Sequence, residues 1–181
     1  MKAIIMAAGL GWRLGEGGPP KSLYEFGGKS LVLRHIDHLH ALGVEDVVVG
    51  IGYRRNLKEA ELAGIEGVRT AFNPDFHEGN IVTLFRLAKE LDYGGSVVLM
   101  DADVLYDRRL LKTLLMSAHA NCLLLDRKVR LGEESVKVFV KDSVIVDMSK
   151  HPDQQLNPDF VGESVGFFKL SSHGAKELRV A

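Results

Sequence analysis

The chain has 181 residues, 46% hydrophobic and 26% charged, with 23 Lys and Arg against 24 Asp and Glu. These proportions are those of a globular protein and exclude disordered, collagen-like and coiled-coil chains. A formal net charge of -1 gives no bulk electrostatic ground for binding nucleic acid or an anionic membrane. The one cysteine, Cys122, excludes a disulfide scaffold and a cysteine-based zinc site, and points to a reducing compartment. Residues 1–6 carry one lysine and too short an apolar stretch for a signal peptide, and no apolar run reaches membrane-spanning length. The expectation is a single cytoplasmic domain over residues 1–181, without membrane or nucleic-acid partners and of open oligomeric state.

Residues 2–6 read as a first apolar strand that stops at a glycine-rich stretch from Gly9 to Gly18, closed by Pro19 and Pro20. Ser30 is placed to cap a helix through Leu42, with Val32, Ile36 and Leu39 on one face and Gly43 to end it. Residues 46–51, with three consecutive valines, read as a strand covered on both faces. Residues 54–63 read as helix and 68–72 as extended. Residues 81–91 read as a helix turning Leu84, Leu87, Ala88 and Leu91 inward. A further apolar strand, 96–100, ends at Asp101-Ala102-Asp103. The helix predicted over 107–118 offers Leu110, Leu111, Leu114 and Leu115 as its apolar face. Such alternation predicts right-handed βαβ crossovers. The fold class is α/β, with a mainly parallel doubly wound sheet carrying helices on both faces.

After Asn121 the pattern changes to short strands. Residues 122–125 read as one, 135–140 and 143–146 as a hairpin around Lys141-Asp142, and 161–170 as another after a polar loop at 151–159. The chain thus divides into a first part, 1–120, and a β-rich second part, 121–181, on the same sheet. Ligands of open α/β sheets bind beyond the carboxyl ends of the strands. Two chemically unusual segments fall there: the glycine-rich loop and Asp101-Ala102-Asp103.

Two familiar cofactor boxes fail on spacing. A dinucleotide fingerprint over Gly9-Leu10-Gly11-Trp12-Arg13-Leu14-Gly15 needs glycine where Leu14 stands, and Val49-Gly50-Ile51-Gly52 supplies no ribose-binding carboxylate. Gly28-Lys29-Ser30 resembles the tail of a P-loop, but its leading glycine would have to be at Leu23. What remains is a loop whose backbone amides are free to approach phosphates, with Arg13 and Lys21 as its cations. A guanidinium fork and an ammonium point charge on one such loop suit a triphosphate. Asp101 and Asp103, one residue apart at a strand end, share a side by alternation and form a hard-oxygen pair suited to Mg²⁺. The alternative is a capping role, which accounts for Asp107 better than for Asp103. His35, His38 and His40 do not make a metal triad, since His38 and His40 cannot share a helix face; all three read as solvated surface. Cys122 reads as a small buried residue, and Trp12 as a cover for the ligand.

Residues 3–14, Ala-Ile-Ile-Met-Ala-Ala-Gly-Leu-Gly-Trp-Arg-Leu, followed by Pro20-Lys21-Ser22-Leu23, resemble the signature of nucleotidyltransferases that make activated sugars and alcohols. Within that superfamily the chain is most similar to the cytidylyltransferases acting on phosphocholine, 2-aminoethylphosphonate or inositol phosphate. Gly79-Asn80-Ile81-Val82-Thr83-Leu84, Asp101-Ala102-Asp103, Lys150 and Gly162-Glu163-Ser164-Val165-Gly166-Phe167-Phe168 carry the closer match. The resemblance implies a nucleotide-binding first part and an acceptor-binding second part, with CTP or another nucleoside triphosphate and a small phosphorylated acceptor as substrates. It implies Mg²⁺ held directly by Asp103 with Asp101 in support. Arg13 falls on the leaving β- and γ-phosphates, and Lys21 on the α-phosphate and attacking oxygen. Ala7, Ala8, Gly9, Leu10, Gly11, Asn80 and Ala102 fall at the nucleotide. The family's second metal carboxylate has no match before Ala181, so the resemblance implies either a chain that stops short of it or a metal held differently.

Lys150 has the charge to neutralise the acceptor's phosphate, and Glu163 to face a cationic head such as choline or an aminoethyl group; either also suits an exposed strand position. Tyr53, Phe76, Tyr106 and Phe160 are candidate aromatic walls for a quaternary ammonium, or core residues. The expected reaction is cytidylyl transfer from CTP with release of pyrophosphate. Its alternatives are a sugar-1-phosphate nucleotidyltransferase using UTP, dTTP or GTP, and a nucleotide-binding remnant lacking the second carboxylate.

Overall fold

The computed structural model describes residues 1–11, 18–150 and 157–180. The chain divides into two compact units, one formed by Met1–Cys122 with Phe168–Ala181 and the other by Leu123–Phe167.

In the first unit, strands β1 (Lys2–Ala7), β4 (Asp46–Ile51), β5 (Val68–Phe72) and β6 (Val97–Asp101) lie parallel in the order β5-β4-β1-β6. Parallel strands need both faces covered, and these are. Ile4, Val48, Val97 and Leu99 pack in one cluster with Leu84, Leu87, Leu91 and Ala175. Ile5, Val47, Val49, Val98 and Met100, which alternation turns the other way, are just as buried. The alternation of strand and helix predicted a doubly wound α/β fold, and that is the fold found.

Helix α1 (Leu31–His40) begins as expected, with the Ser30 hydroxyl accepting from the Leu33 amide at 3.4 Å and donating to Glu61 at 2.7 Å. It buries Val32, Ile36 and Leu39. Helix α2 (Arg55–Leu62) buries Lys58, whose ammonium donates to the Tyr53 carbonyl at 2.6 Å and whose pKa burial lowers to about 8. The predicted helix over 81–91 is two pieces, α3 (Asn80–Arg86) and α4 (Ala88–Leu91), broken where Leu87 leaves helical geometry. The break lies over Gly50, whose missing Cβ makes room for Leu87 Cδ1 and Thr83 Cγ2. Helix α5 (Arg108–Met116) is capped by Asp107, which accepts from the Arg109 amide at 2.8 Å. Its apolar face is narrower than expected, since Leu111 and Leu114 are buried but Leu110 is exposed.

Three local features had no sequence signal strong enough to read. A small hairpin pairs β2 (Glu25–Phe26) with β3 (Lys29–Ser30), a 3-10 turn spans Lys21–Leu23, and α6 (Ser172–Val180) ends the described chain. Residues 168–180 belong to the first unit, unlike the division expected at residue 120. Buried Lys169 donates to the Ser117 carbonyl at 2.7 Å, and Asn121 Oδ1 accepts from the Ser171 amide at 2.8 Å. Among the described residues no helix is long and apolar enough to cross a membrane.

In the second unit, β8 (Lys137–Lys141) and β9 (Val144–Ser149) form the hairpin. Its turn sits one residue later than expected, at Asp142-Ser143, both with positive φ as a two-residue hairpin turn requires. Strand β10 (Phe160–Leu170) runs antiparallel to β8 and also pairs with β7 (Cys122–Asp126). Cys122, at the boundary of the units, is half-buried rather than buried.

A methyl group at position 50 would lie 2.8 Å from Leu87 Cδ1 and 2.9 Å from Thr83 Cγ2. Gly50→Ala is therefore expected to destabilise the protein by about 1–3 kcal/mol. A urea melt with an unchanged midpoint would show that α3 and α4 do not seat on β4 this closely.

Candidate active site

Parallel register puts the two unusual segments side by side. Met6 of β1 is level with Asp101 of β6, so Ala7-Ala8-Gly9 and Ala102-Asp103 leave the sheet from adjacent carboxyl ends. Ala7, Ala8 and Ala102 are buried, which keeps both exits close to the sheet. Gly9, Leu10 and Gly11 follow; Arg13 and Trp12 lie outside the described residues.

The chain returns to this point at Pro20. Its extended backbone turns into the Lys21–Leu23 helical turn, closed by the Leu23 amide donating to the Pro20 carbonyl at 2.8 Å. Lys21 reaches across to Asp103, Nζ to Oδ2 3.3 Å, a contact between residues 82 positions apart. Gly11, at φ +67°, lets the loop lie against the lysine stem. A Cβ there would stand 3.1 Å from Lys21 Cγ and 3.3 Å from its Cε. Both partners of the ion pair stay open to solvent, so the pair adds little to stability, under about 1 kcal/mol. Its importance is positional: a cationic and an anionic group are held at one place on the sheet edge.

Asn80, the first residue of α3, donates from Nδ2 to Asp101 Oδ1 at 3.3 Å. Behind it a buried pair, Asn73 Nδ2 to Thr83 Oγ1 at 3.0 Å, ties the end of β5 to the same helix. Burial and the neighbouring Asp103 charge push the Asp101 carboxyl up to about 6. Two adjacent oxygen donors that repel one another fit a hard divalent cation that takes its other ligands from phosphate and water. Among the described residues no group of three or more His, Cys, Asp or Glu side chains could hold a metal alone.

The structure thus brings Lys21, Asn80, Asp101 and Asp103 together beside Ala7–Gly11 and Ala102. Lys150 and Glu163 lie in the second unit. Lys150 Nζ pairs with Glu134 at 2.9 Å, its carbonyl accepts from Lys137 Nζ at 2.7 Å, and Glu163 stands opposite Lys137 in the β10–β8 register. The aromatic residues divide. Tyr53 and Phe76 are tilted neighbours at 6.4 Å, Arg127 covers the Phe160 ring, and Tyr106 lies against His35 and His38.

The histidines require a correction. His35 is not solvated surface but fully buried, with Nδ1 2.7 Å from the Leu31 carbonyl and Nε2 3.1 Å from the Asp101 carbonyl. Burial lowers its pKa, and that of the half-buried His38. The signal was available, because position 35 lies on the stripe of Val32, Ile36 and Leu39.

Residues 3–141 match the family model of the MobA-like NTP transferase domain, and the chain belongs to that family. It is similar to the CMP-5'-(3-aminopropyl)phosphonate synthase of Streptomyces rubellomurinus, 32% identical over 154 residues, 81% of this chain and 24% of that protein. It is also similar to a mannose-1-phosphate guanyltransferase of Neurospora crassa, 43% identical over 71 residues, 36% of this chain and 19% of the relative. The chain thus spans a quarter or less of the length of these two proteins. Among solved structures, the inositol-1-phosphate CTP transferase from T. maritima superposes with a TM-score of 0.72 at 27% identity, over 95% of this chain and 71% of the other.

An acid with a higher pKa in the folded than in the unfolded chain binds its proton more tightly when folded. Asp101, ordinarily near 3.8 and here about 6, therefore costs stability at and above pH 6, and that cost fades as the pH falls towards 4. Asp101→Asn is expected to raise the free energy of unfolding, measured by urea melts in metal-free buffer at pH 8, by at most about 3 kcal/mol, with the gain shrinking to near zero at pH 4. A gain of equal size at both pH values would show that the Asp101 charge is not its source.

Proposed function

We propose that this chain transfers a cytidylyl group from CTP to a small phosphorylated or phosphonylated acceptor, with release of pyrophosphate. The observation that carries the reading is the 3.3 Å approach of Lys21 to Asp103 at the carboxyl edge of the sheet. The likeness to the phosphonate synthase and to the inositol-phosphate CTP transferase supports the choice of CTP and of a phosphorus-bearing acceptor.

An oxygen of the acceptor's phosphate or phosphonate attacks the α-phosphorus in line. The new P–O bond forms as the bond to the β-phosphate oxygen breaks, and the electron pair leaves with pyrophosphate. A phosphate monoester loses its second proton near pH 6, so the nucleophile is already an anion and needs no general base. The remaining difficulty is repulsion between anions, which positioning and charge neutralisation overcome. Lys21 receives the α-phosphate and the incoming oxygen. Arg13 takes the leaving phosphates. The backbone of Ala7, Ala8, Gly9, Leu10, Gly11 and Ala102 lines the nucleotide, with Asn80 at base or ribose. Asp103, supported by Asp101, holds Mg²⁺, which when bound neutralises phosphate charge. On charge alone, Lys150 is assigned to the acceptor phosphate and Glu163 to a cationic head.

A second reading, transfer from another nucleoside triphosphate to a sugar 1-phosphate, draws on the likeness to the guanyltransferase. Pyrophosphate release measured for four nucleotides against choline phosphate, aminoethylphosphonate and hexose 1-phosphates separates the two. CTP with a non-sugar acceptor is expected to give the highest kcat/KM. A preference for GTP, UTP or dTTP with a hexose phosphate replaces the first reading by the second, and CTP binding without turnover leaves a nucleotide-binding protein. Lys21→Ala and Asp103→Ala should each lose about 3 kcal/mol of transition-state stabilisation, more than a hundredfold in rate, while remaining folded. Near-normal turnover in either variant contradicts its assigned role.

A further inference from the structure

Helix α1 touches both halves of the site. At its start the Leu31 amide donates to the Tyr24 carbonyl at 3.1 Å, tying the helix to the turn that carries Lys21. One turn on, the buried His35 ring places Nε2 3.1 Å from the main-chain carbonyl of Asp101, the last residue of β6. Tyr106, beyond the acidic pair in the chain, meets that ring edge-on at 5.0 Å between centroids and meets His38 in the same way at 5.1 Å. The segment from Asp101 to Tyr106 is therefore gripped at both ends by α1, with Asp103 between them.

A buried imidazole costs desolvation that leucine would not, and it is justified only by the groups its nitrogens meet. Those groups include two carbonyl oxygens, of Leu31 and Asp101. A neutral ring has one N–H and donates to one of them; the charged ring donates to both. We propose that His35 is a positioning residue: it donates from Nε2 to the Asp101 carbonyl and so keeps Asp103 within reach of the Lys21 ammonium. His35 touches no reacting atom in this scheme. The scheme rests on the nucleotidyl-transfer reading for its consequence, though not for its geometry.

Glutamine at position 35 keeps a donor at about the reach of Nε2, whereas asparagine keeps one only at the reach of Nδ1. Amide hydrogen exchange is expected to quicken at residues 102–104 in His35→Asn, leave β1 unchanged, and return towards the native rate in His35→Gln. Turnover in the asparagine variant should fall roughly ten- to a hundredfold, with the CTP dissociation constant within threefold of native. The glutamine variant should recover most of that loss. A role in packing alone would lower the melting temperature of both variants without telling them apart. Equal behaviour of the two variants, or unchanged exchange at 102–104 in the asparagine form, overturns the proposal. On the native protein, nitrogen-15 NMR of the labelled ring supplies a test independent of any variant's folding. A proton on Nε2 supports the assignment, and a ring protonated at Nδ1 alone refutes it. A native protein that releases no pyrophosphate from any nucleotide sinks the transferase reading, and exchange and NMR still decide the role of His35.

Discussion

Lys21 and Asp103 stand 82 positions apart in the chain and meet at 3.3 Å, and the functional interpretation depends on that meeting. An exposed ion pair of this kind contributes almost nothing to holding the protein together. The contact is therefore a consequence of the fold rather than a cause of it. Two constraints produce it. Parallel register between β1 and β6 sends the glycine-rich loop and the acidic loop out at the same level, and the Pro20 turn brings the chain back over them. Neither constraint is local, and both rest on the apolar strands being buried on both faces.

Much of this was legible because the strong signals coincide. Three consecutive valines, a serine N-cap and an acidic pair after an apolar run each have one good structural explanation, and they agree on alternating strands and helices. Residues 46–51 and 68–72 are strands to the residue. What escaped was decided by tertiary contact. The helix over 81–91 has an unbroken apolar period, but Thr83 and Leu87 both seat over Gly50, and the backbone leaves helical geometry at Leu87, whose amide closes the last turn on the Thr83 carbonyl at 3.1 Å. Helix α6 carries little apolar signal and is fastened through Ser171 to Asn121. The site shows the same division: Lys21, Asp101 and Asp103 were readable as charges on the segments that follow apolar strands, and Asn80 only through the family resemblance. His35 was misread because a histidine on a helix was taken for solvent-facing when its spacing from Ile36 and Val32 put it inside.

The electrostatics of the described site bear on what it can accept. One ammonium stands beside two carboxylates, one of which already resists ionisation up to about pH 6. A triphosphate and a second phosphate acceptor would add several negative charges to that edge. The reading of the acidic pair as a cation site follows from this imbalance as much as from the spacing of the residues.

This charge arrangement is indifferent to the base. It would serve CTP and GTP alike, because both carry the same phosphates, so discrimination between the two readings has to come from elsewhere on the same edge. On the proposed reading the Ala8 carbonyl faces the base, and it already accepts from the Tyr53 amide at 3.0 Å, which leaves one lone pair for a ligand. Tyr53 is in turn fixed from behind, its carbonyl taken by buried Lys58, and from the side by Phe76. That edge is thus built from backbone whose hydrogen bonds are partly spent, with Lys58 and Phe76 holding Tyr53 behind it. Tyr53 and Lys58 thus hold the Ala8 backbone through hydrogen bonds in which neither Lys21 nor Asp103 takes part.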